Sequence, residues 1–282
     1  MNQILSYTAL LIASFMLSLS FSCNNSKNVS SGQSTLESSN SDAKLFNIVD
    51  RSRTSKGTRF FDVTRFGASG NGETDDSQAI QEALTLAGQS NHGVVYFPAG
   101  TYLLKEIISW ERTDQGRDLA GLVIRGEGAG KTIILVDNEK GGIYLDDPQG
   151  NTQFQIRDLT LCAARAGAGT AIAVGKEGNR HGDIFMRCFT GENIEIRGSK
   201  PDFYFREGLK VTSCFRPLYR NISFTGAEQA DSMYKSTLGI SADWCYSPEV
   251  ESCTVKNSEQ AFSFVCLPHE PPRPAPEAGT FH

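Results

Sequence analysis

The chain has 282 residues, 39% hydrophobic and 21% charged, with a net charge of -5 and a pI near 5.5. That apolar share excludes wholesale disorder, and an acidic balance with no basic tail or stripe argues against a dedicated nucleic-acid binder. Seven cysteines are too few to staple a chain of this size as a disulfide scaffold.

The N-terminus reads as an export signal. Ile4 to Phe21 is apolar and Ser/Thr-rich with no charged side chain, and it is short for a spanning helix. Ser20 and Ser22 flank Phe21 just before Cys23, and Asn24, Asn25 and Ser26 follow. The arrangement resembles a bacterial lipoprotein signal, which implies lipidation of Cys23 and a membrane anchor in the cell envelope; ordinary secretion with cleavage near Ser22 is the alternative. Residues 24–43 contain seven Ser and four Asn among twenty positions, too little apolar matter to fold. Residues 1–22 are thus expected to be the signal and 23–57 a tether.

Texture changes at Phe60. Phe60–Val63 predicts a short strand, and Phe66–Gly72 a glycine-rich turn. Thr74-Asp75-Asp76-Ser77 offers side chains to the free amides of a helix start. The helix is predicted over Gln78–Ala87, with Ala79, Ile80, Ala83, Leu84 and Ala87 on one face. Val94–Phe97 is an apolar strand, Pro98–Thr101 a tight turn, and Tyr102–Leu104 extended again.

The run FDVTRFGASGNGETDDSQAIQEAL followed by GVVYFPAGTYLL, within residues 60–104, resembles the N-terminal module of the pectate lyase-like superfamily in its rhamnogalacturonase/epimerase-like branch. The resemblance implies an all-β fold: a right-handed, single-stranded parallel β-helix with a short N-terminal capping α-helix, expected over residues 58–267. In that setting Asp75 and Asp76 are helix caps and turn formers rather than a catalytic carboxylate pair.

The remainder carries a repeat. Residues 211–230 align with 242–261 at an offset of 31: Cys214-Phe215-Arg216-Pro217 over Cys245-Tyr246-Ser247-Pro248, Asn221–Phe224 over Ser252–Val255, and Glu228–Ala230 over Glu259–Ala261. Asp158–Leu161 and Asn193–Ile196 are earlier echoes. In-register stacking at about 4.8 Å per coil puts like over like. The pairs Leu159/Leu161, Ile194/Ile196, Ile222/Phe224 and Cys253/Val255 are expected to point inward, and Asp158, Asn193, Asn221 and Ser252 to form a polar column at a bend. Cys188, Cys214 and Cys245 recur just before the ladder strand and read as buried thiols rather than as a disulfide.

Some chemistry is excluded by counting. Gly126–Thr132 looks like a phosphate loop, but the required spacing puts Arg125 where a Gly must stand, so no nucleotide is expected. There is no Cys-x-x-Cys and only four His, so no metal site is assigned; no cofactor is expected, with calcium left open.

By resemblance, polysaccharide binds along a groove on one outer face of such a helix. Asp183, Asp231 and Asp243 are carboxylates outside the polar column, suited to acid and base work on a glycosidic bond, and Lys210 could assist proton abstraction beside a uronate carboxylate. Residues 197–220 hold Arg197, Lys200, Arg206, Lys210, Arg216 and Arg220 against Asp202 and Glu207, a local surplus of +4 that would suit an acidic sugar. Arg206, Arg216, Trp244, Tyr246 and His181 are the candidate substrate contacts. Arg180-His181-Gly182 departs from the Gly-His-Gly element of polygalacturonase-type relatives, so no catalytic residue is carried over. Half of the ten prolines fall within Pro268–Pro276, and residues 268–282 read as a tail over the last coil or a truncation end. Two functions follow: an exported lyase or glycoside hydrolase acting on an acidic polysaccharide, or a non-catalytic glycan-binding, adhesin-like solenoid or inactive fragment.

Overall fold

The computed structural model describes residues 58–90, 92–113, 120–148, 150–175, 188–227 and 235–266. It is a parallel β-solenoid. The opening module contains β1 (Arg59–Asp62), a 3-10 turn, β2 (Asn71–Asp75), α1 (Ser77–Gln89), β3 (His92–Tyr96), β4 (Gly100–Leu104) and β5 (Ile108–Glu111). The coils that follow are β6 (Ala120–Arg125), β7 (Thr132–Val136) and β8 (Gly141–Asp146); β9 (Thr152–Ala163) and β10 (Thr170–Val174); β11 (Cys188–Gly198) and β12 (Glu207–Thr212); β13 (Leu218–Thr225) and β14 (Ser236–Cys245); then β15 (Glu249–Glu251), β16 (Thr254–Lys256) and β17 (Ser258–Cys266). Each coil visits three faces in turn. Face one is β1-β3-β6-β9-β11-β13-β15, and face two runs β2-β4-β7 onto the second halves of β9, β11 and β13 and ends at β16. Face three is the six-stranded β5-β8-β10-β12-β14-β17.

The helix is longer than its sequence pattern by a residue or two at each end. Ile80, Ala83, Leu84 and Ala87 are fully buried, the i, i+3, i+4, i+7 stripe of an amphipathic helix. Burying Ile80 and Leu84 contributes about 1.5–3 kcal/mol each. The helix packs against β1, β3 and β5, the first strands of faces one and three. Gln81 completes the seal: its amide donates to Ser109 O at 2.8 Å and accepts from Ser109 N at 2.8 Å, so a side chain occupies the edge of β5 as a neighbouring strand would. The two aspartates divide the expected work. Asp75 Oδ1 accepts from Ser77 N at 3.1 Å, while the buried Asp76 carboxylate turns away from the helix and accepts from Ser69 N at 2.7 Å and Gly70 N at 3.2 Å, fixing the glycine-rich turn.

Register obeys the polar column. Ile194 pairs with Leu159 and Ile222, and Ile196 with Leu161 and Phe224; all six side chains are buried. Cys253 and Val255, in the last coil, are only half-buried against this core. Between faces one and two the chain turns at Asp158, Asn193, Asn221 and Ser252, with φ of 60°, 53°, 51° and 53°. Asn193 Nδ2 donates to Asp158 Oδ1 at 2.9 Å, and Asn221 Nδ2 donates to Asn193 Oδ1 at 2.9 Å. The ladder starts at an aspartate because an ionised carboxylate only accepts, whereas an amide both accepts and donates and so passes the chain on.

Three expectations need correction. The offset of 31 holds from β12 to β14 and from β13 to β15 and β16, but β14 and β17 pair at an offset of 22, Ile240 with Phe262. Residues 226–235 connect faces two and three in one coil; in the next, Asn257 alone, at φ 55°, does so. Glu259–Ala261 lie in β17 on face three, with Gln260 opposite Leu238; residues 228–230 lie outside the described residues. Secondly, Cys188 begins β11 on face one opposite Gln153, so it does not share a column with Cys214, just after β12, and Cys245, the last residue of β14, both at the end of face three. Cys214 and Cys245 are buried free thiols, with Cys214 N donating to Cys245 Sγ at 3.4 Å. Thirdly, the strand expected over Phe60–Val63 ends at Asp62, because the Asp62 carboxylate accepts from Thr64 N at 3.0 Å and bends Val63–Phe66 into the 3-10 turn.

Two outcomes are expected. Asn193→Ala removes two amide bonds and leaves a residue that disfavours φ near 53°, so urea unfolding should show a loss of about 2–3 kcal/mol; Asn193→Gly, which accepts the angle, should lose less. An Asn193→Ala protein as stable as the parent would show that the column carries no stability. The second concerns alkali. Burial pushes the Tyr102 phenol up to about 12, and its OH donates to Pro98 O at 3.0 Å. A phenol whose folded pKa exceeds the unfolded value near 10 contributes stability that is intact below pH 10 and lost as pH rises toward 12. Thermal unfolding across that window should therefore show Tm falling more steeply for the parent than for Tyr102→Phe.

Candidate functional site

The outward positions of face three form two columns. One reads Ser109, Tyr144, Ala173, Lys210, Ser241 and Ser263 from the N-terminal end. The other passes through Glu111, Asp146, Thr212, Asp243 and Val265. Strand alternation sets this arrangement: Leu209, Val211, Ile240 and Ala242 are fully buried inward neighbours, so Lys210, Ser241 and Asp243 must face out. Lys210 and Asp243 thus stand on adjacent rungs, two positions apart along the strand, and both are half-buried.

Lys210 has a carboxylate beside it. Its Nζ lies 4.0 Å from Glu207 Oε2, and that oxygen also accepts from Thr170 Oγ1 at 2.8 Å. Ser241, between Lys210 and Ser263, is fully buried, and its Oγ has no hydrogen-bond partner. Its backbone is held from the core side. Tyr219, inward on face one, donates its OH across the core to Ser241 O at 3.0 Å. Burial pushes the Tyr219 phenol well above its ordinary pKa, so it remains a neutral donor.

The other candidates bracket this face. Arg206 stands exposed just before β12, its guanidinium lying over Gly167, where a Cβ would come within 3.2 Å of Arg206 Nε. Beyond Asp243 the chain turns through Trp244 at φ 55°, on the same left-handed corner as Ser213 at φ 55° one rung earlier. Trp244 is half-buried. Tyr246 is exposed but stacks on Phe215, with ring centroids 5.2 Å apart and planes at 6°, so one of its faces is already taken. Arg216 is ion-paired with Glu249. Asp183, His181, Asp231 and Cys23 lie outside the described residues. Among the described residues, no three His, Cys, Asp or Glu side chains converge as a metal-holding group.

The basic surplus of 197–220 does not form one patch. Arg197 pairs with Glu195 at 3.2 Å on face two, and Arg220 bridges Glu192 at 3.3 Å and Glu251 at 2.7 Å on face one. Those glutamates lie outside the counted window and arrive from the same or neighbouring rungs, which a linear count does not see. Glu207 and Ser241 were not singled out in sequence. The alternation Ile240-Ser241-Ala242-Asp243 carries the signal that would have found Ser241.

Residues 60–263 match the family described as Rhamnogalacturonase A/epimerase, pectate lyase-like. Among curated relatives, alginate lyase 7 of Azotobacter vinelandii is 35% identical over 108 residues, covering 36% of this chain and 12% of that protein. The mannuronan C5-epimerase AlgE3 of the same organism is 33% identical over 144 residues, covering 49% and 8%. The plasmin and fibronectin-binding protein A of Streptococcus pneumoniae is 36% identical over 166 residues, covering 49% and 22%. The chain spans less than a quarter of the length of each of these three. Among solved structures, the A-module of the Azotobacter vinelandii mannuronan C-5 epimerase AlgE4 aligns at a TM-score of 0.45 and 19% identity, covering 73% of this chain and 53% of that one. With the family's sequence pattern running from the first strand to the last, on a solenoid of stacked parallel coils, this chain belongs to the rhamnogalacturonase A/epimerase, pectate lyase-like family.

Proposed function

We propose that this chain acts on a uronate-containing polysaccharide laid along face three, cleaving it by elimination. The observation that carries the proposal is the placement of Lys210 and Asp243 on adjacent rungs of one outer face. Relatives named as an alginate lyase and as mannuronan epimerases support a uronate as the sugar. The chemistry needs two groups. A cation beside the sugar carboxylate makes the adjacent carbon more acidic, and a carboxylate base removes its proton. Lys210 supplies the first and Asp243 the second. The C5–H bond breaks and its proton passes to Asp243; the electron pair forms the C4–C5 double bond; the C4–O bond breaks and the leaving oxygen takes a proton from solvent or from a second acidic side chain. Trp244, beside the base, offers a ring on which a sugar can stack. Asp183 and Asp231, which lie outside the described residues, are the sequence's candidates for that acid.

The second reading is a non-catalytic glycan-binding surface protein. Similarity to the pneumococcal plasmin and fibronectin-binding protein favours it, since that relative is named for binding. Both readings use face three and differ in whether Asp243 acts as a base. Purified protein incubated with alginate and polygalacturonate should release unsaturated ends absorbing near 235 nm if it is a lyase. Asp243→Asn should then lower the rate about 100-fold or more, and Lys210→Ala by a comparable factor. Reducing ends without unsaturation would move the assignment to hydrolysis, and binding without products would move it to the second reading.

We also propose that Cys23 is lipidated after export and that residues 24–57 hold the solenoid off the membrane. Cells fed a labelled fatty acid should label the protein and fail to label Cys23→Ser. Equal labelling of both would remove the anchor.

A further inference from the structure

A buried hydroxyl with no partner costs free energy unless something else uses it. Among the described residues, Ser241 is such a group: its Oγ is fully buried and unpartnered. Four other buried hydroxyls are spoken for. Thr132 Oγ1 donates toward Phe97 O and Pro98 O, Thr152 Oγ1 donates to Asp147, Thr160 Oγ1 donates to Glu195, and Ser236 Oγ donates to Phe205 O. Those residues fasten turns or neighbouring rungs. Ser241 fastens nothing through its side chain, and it sits mid-strand where an alanine would satisfy the fold.

Its position shows what it can serve. Alternation points it outward on face three, with Lys210 one rung before it and Ser263 one rung after. Asp243 lies two residues along the same strand. The backbone there is held still, because the Tyr219 OH donates to Ser241 O from the core. Three side chains that can donate hydrogen bonds, Lys210, Ser241 and Ser263, therefore succeed one another along the solenoid axis at about 4.8 Å per rung. A carboxylate has two oxygens, each able to accept, and is the ligand group that an ammonium and a hydroxyl on adjacent rungs can hold together.

We infer that Ser241 is a substrate-binding residue whose hydroxyl, together with the Lys210 ammonium, seats the carboxylate of one uronate unit and so turns that sugar's C5 toward Asp243. The inference deepens the lyase reading above and rests on it. Lys210 is half-buried and its ammonium lies 4.0 Å from Glu207. The inference requires that an arriving carboxylate draw this long, unbranched side chain toward itself and that the buried Ser241 hydroxyl become accessible as the sugar binds. Specificity follows, since a neutral sugar offers no anion to draw the lysine over and leaves Ser241 unpaired.

The test uses the full chain and two probes, a mannuronate hexamer and the same hexamer with its carboxyl groups reduced to alcohols, with affinity read by calorimetry. Ser241→Ala should bind the acidic hexamer about tenfold or more weakly, as expected for one hydrogen bond to a charged group. Its affinity for the reduced hexamer should be unchanged. Its Tm should equal or exceed that of the parent, since an unsatisfied polar group has gone. A cycle with Lys210→Ala should be non-additive, because both side chains hold one group. If the parent binds the acidic hexamer and Ser241→Ala binds it equally well, the inference is overturned while the lyase reading stands. A lower Tm with both probes weakened alike would assign Ser241 a structural role and overturn it too. A parent that binds neither probe would overturn this inference, and the release of unsaturated ends from alginate or polygalacturonate would then decide the lyase reading separately.

Discussion

The left-handed corner between faces one and two governs the rest of the molecule. A residue other than glycine pays about 1 kcal/mol or more to hold φ near +55°. This chain does so on four successive rungs, at Asp158, Asn193, Asn221 and Ser252. Asn and Asp tolerate the angle best, and the amide column runs from Asp158 through Asn193 to Asn221. The column offsets the strain and also fixes register. A slip of one residue would break each side-chain bond and turn Ile194, Ile196, Ile222 and Phe224 out to water. The outward positions of face three inherit their places from that register, although they lie on the far side of the coil.

What was legible in sequence follows from this. A polar residue followed by apolar, polar, apolar marks the corner and the strand after it together, so both the inward pairs and the column could be read. The opening module was legible because Asp75, Asp76 and Ser77 sit next to an unambiguous helical stripe. Features that depend on which rung lies beside which were not. The glutamates that neutralise Arg216 and Arg220, and the shortened last turn at Asn257, cannot be seen in a linear window. The placing of Cys188 failed for a similar reason: cysteine serves as a small apolar filler at unrelated positions, so its recurrence carries no register. Residue type alone marks Lys210 and Asp243 as candidate catalytic groups; only the pairing of β12 with β14 brings them onto adjacent rungs. Ser241 escaped because its significance lies in a missing partner, a property of packing rather than of residue type.

Charge is distributed differently on the faces. At the edge of face one the outward column reads Asp62, Tyr96, Arg125, Arg157, Glu192, Arg220 and Glu251. Arg125 and Arg157 both approach Asp158 Oδ2 at 3.7 Å, and Glu192, Arg220 and Glu251 alternate in sign. The more exposed pairs, Arg220 with Glu192 and Glu251, contribute little to stability because solvent screens them. From Arg157 through Glu192 and Arg220 to Glu251 their larger effect is on alignment, since within that run each charge has opposite charges on the neighbouring rungs. Face two is similarly closed on itself, with Thr160, Glu195, Arg197 and Cys162 joined side chain to side chain. These surfaces have largely spent their polar groups on neighbouring rungs.

Face three departs from that economy at one place. Ser241 keeps a buried hydroxyl without a partner, and Trp244, three residues on, holds φ of 55° although bulky aromatic residues are poorly suited to it. Either feature alone could be an accident of packing. Their occurrence within four residues of one strand, on either side of Asp243 and next to the rung that carries Lys210, is harder to attribute to chance. Strain and unmet hydrogen bonds persist where the surrounding structure over-determines them, and they concentrate where a ligand supplies what the fold lacks. The corner ladder provides that over-determination. It locks each rung firmly enough for β14 to carry a serine with an unmet hydrogen bond and a tryptophan at a left-handed corner, both beside the site proposed above.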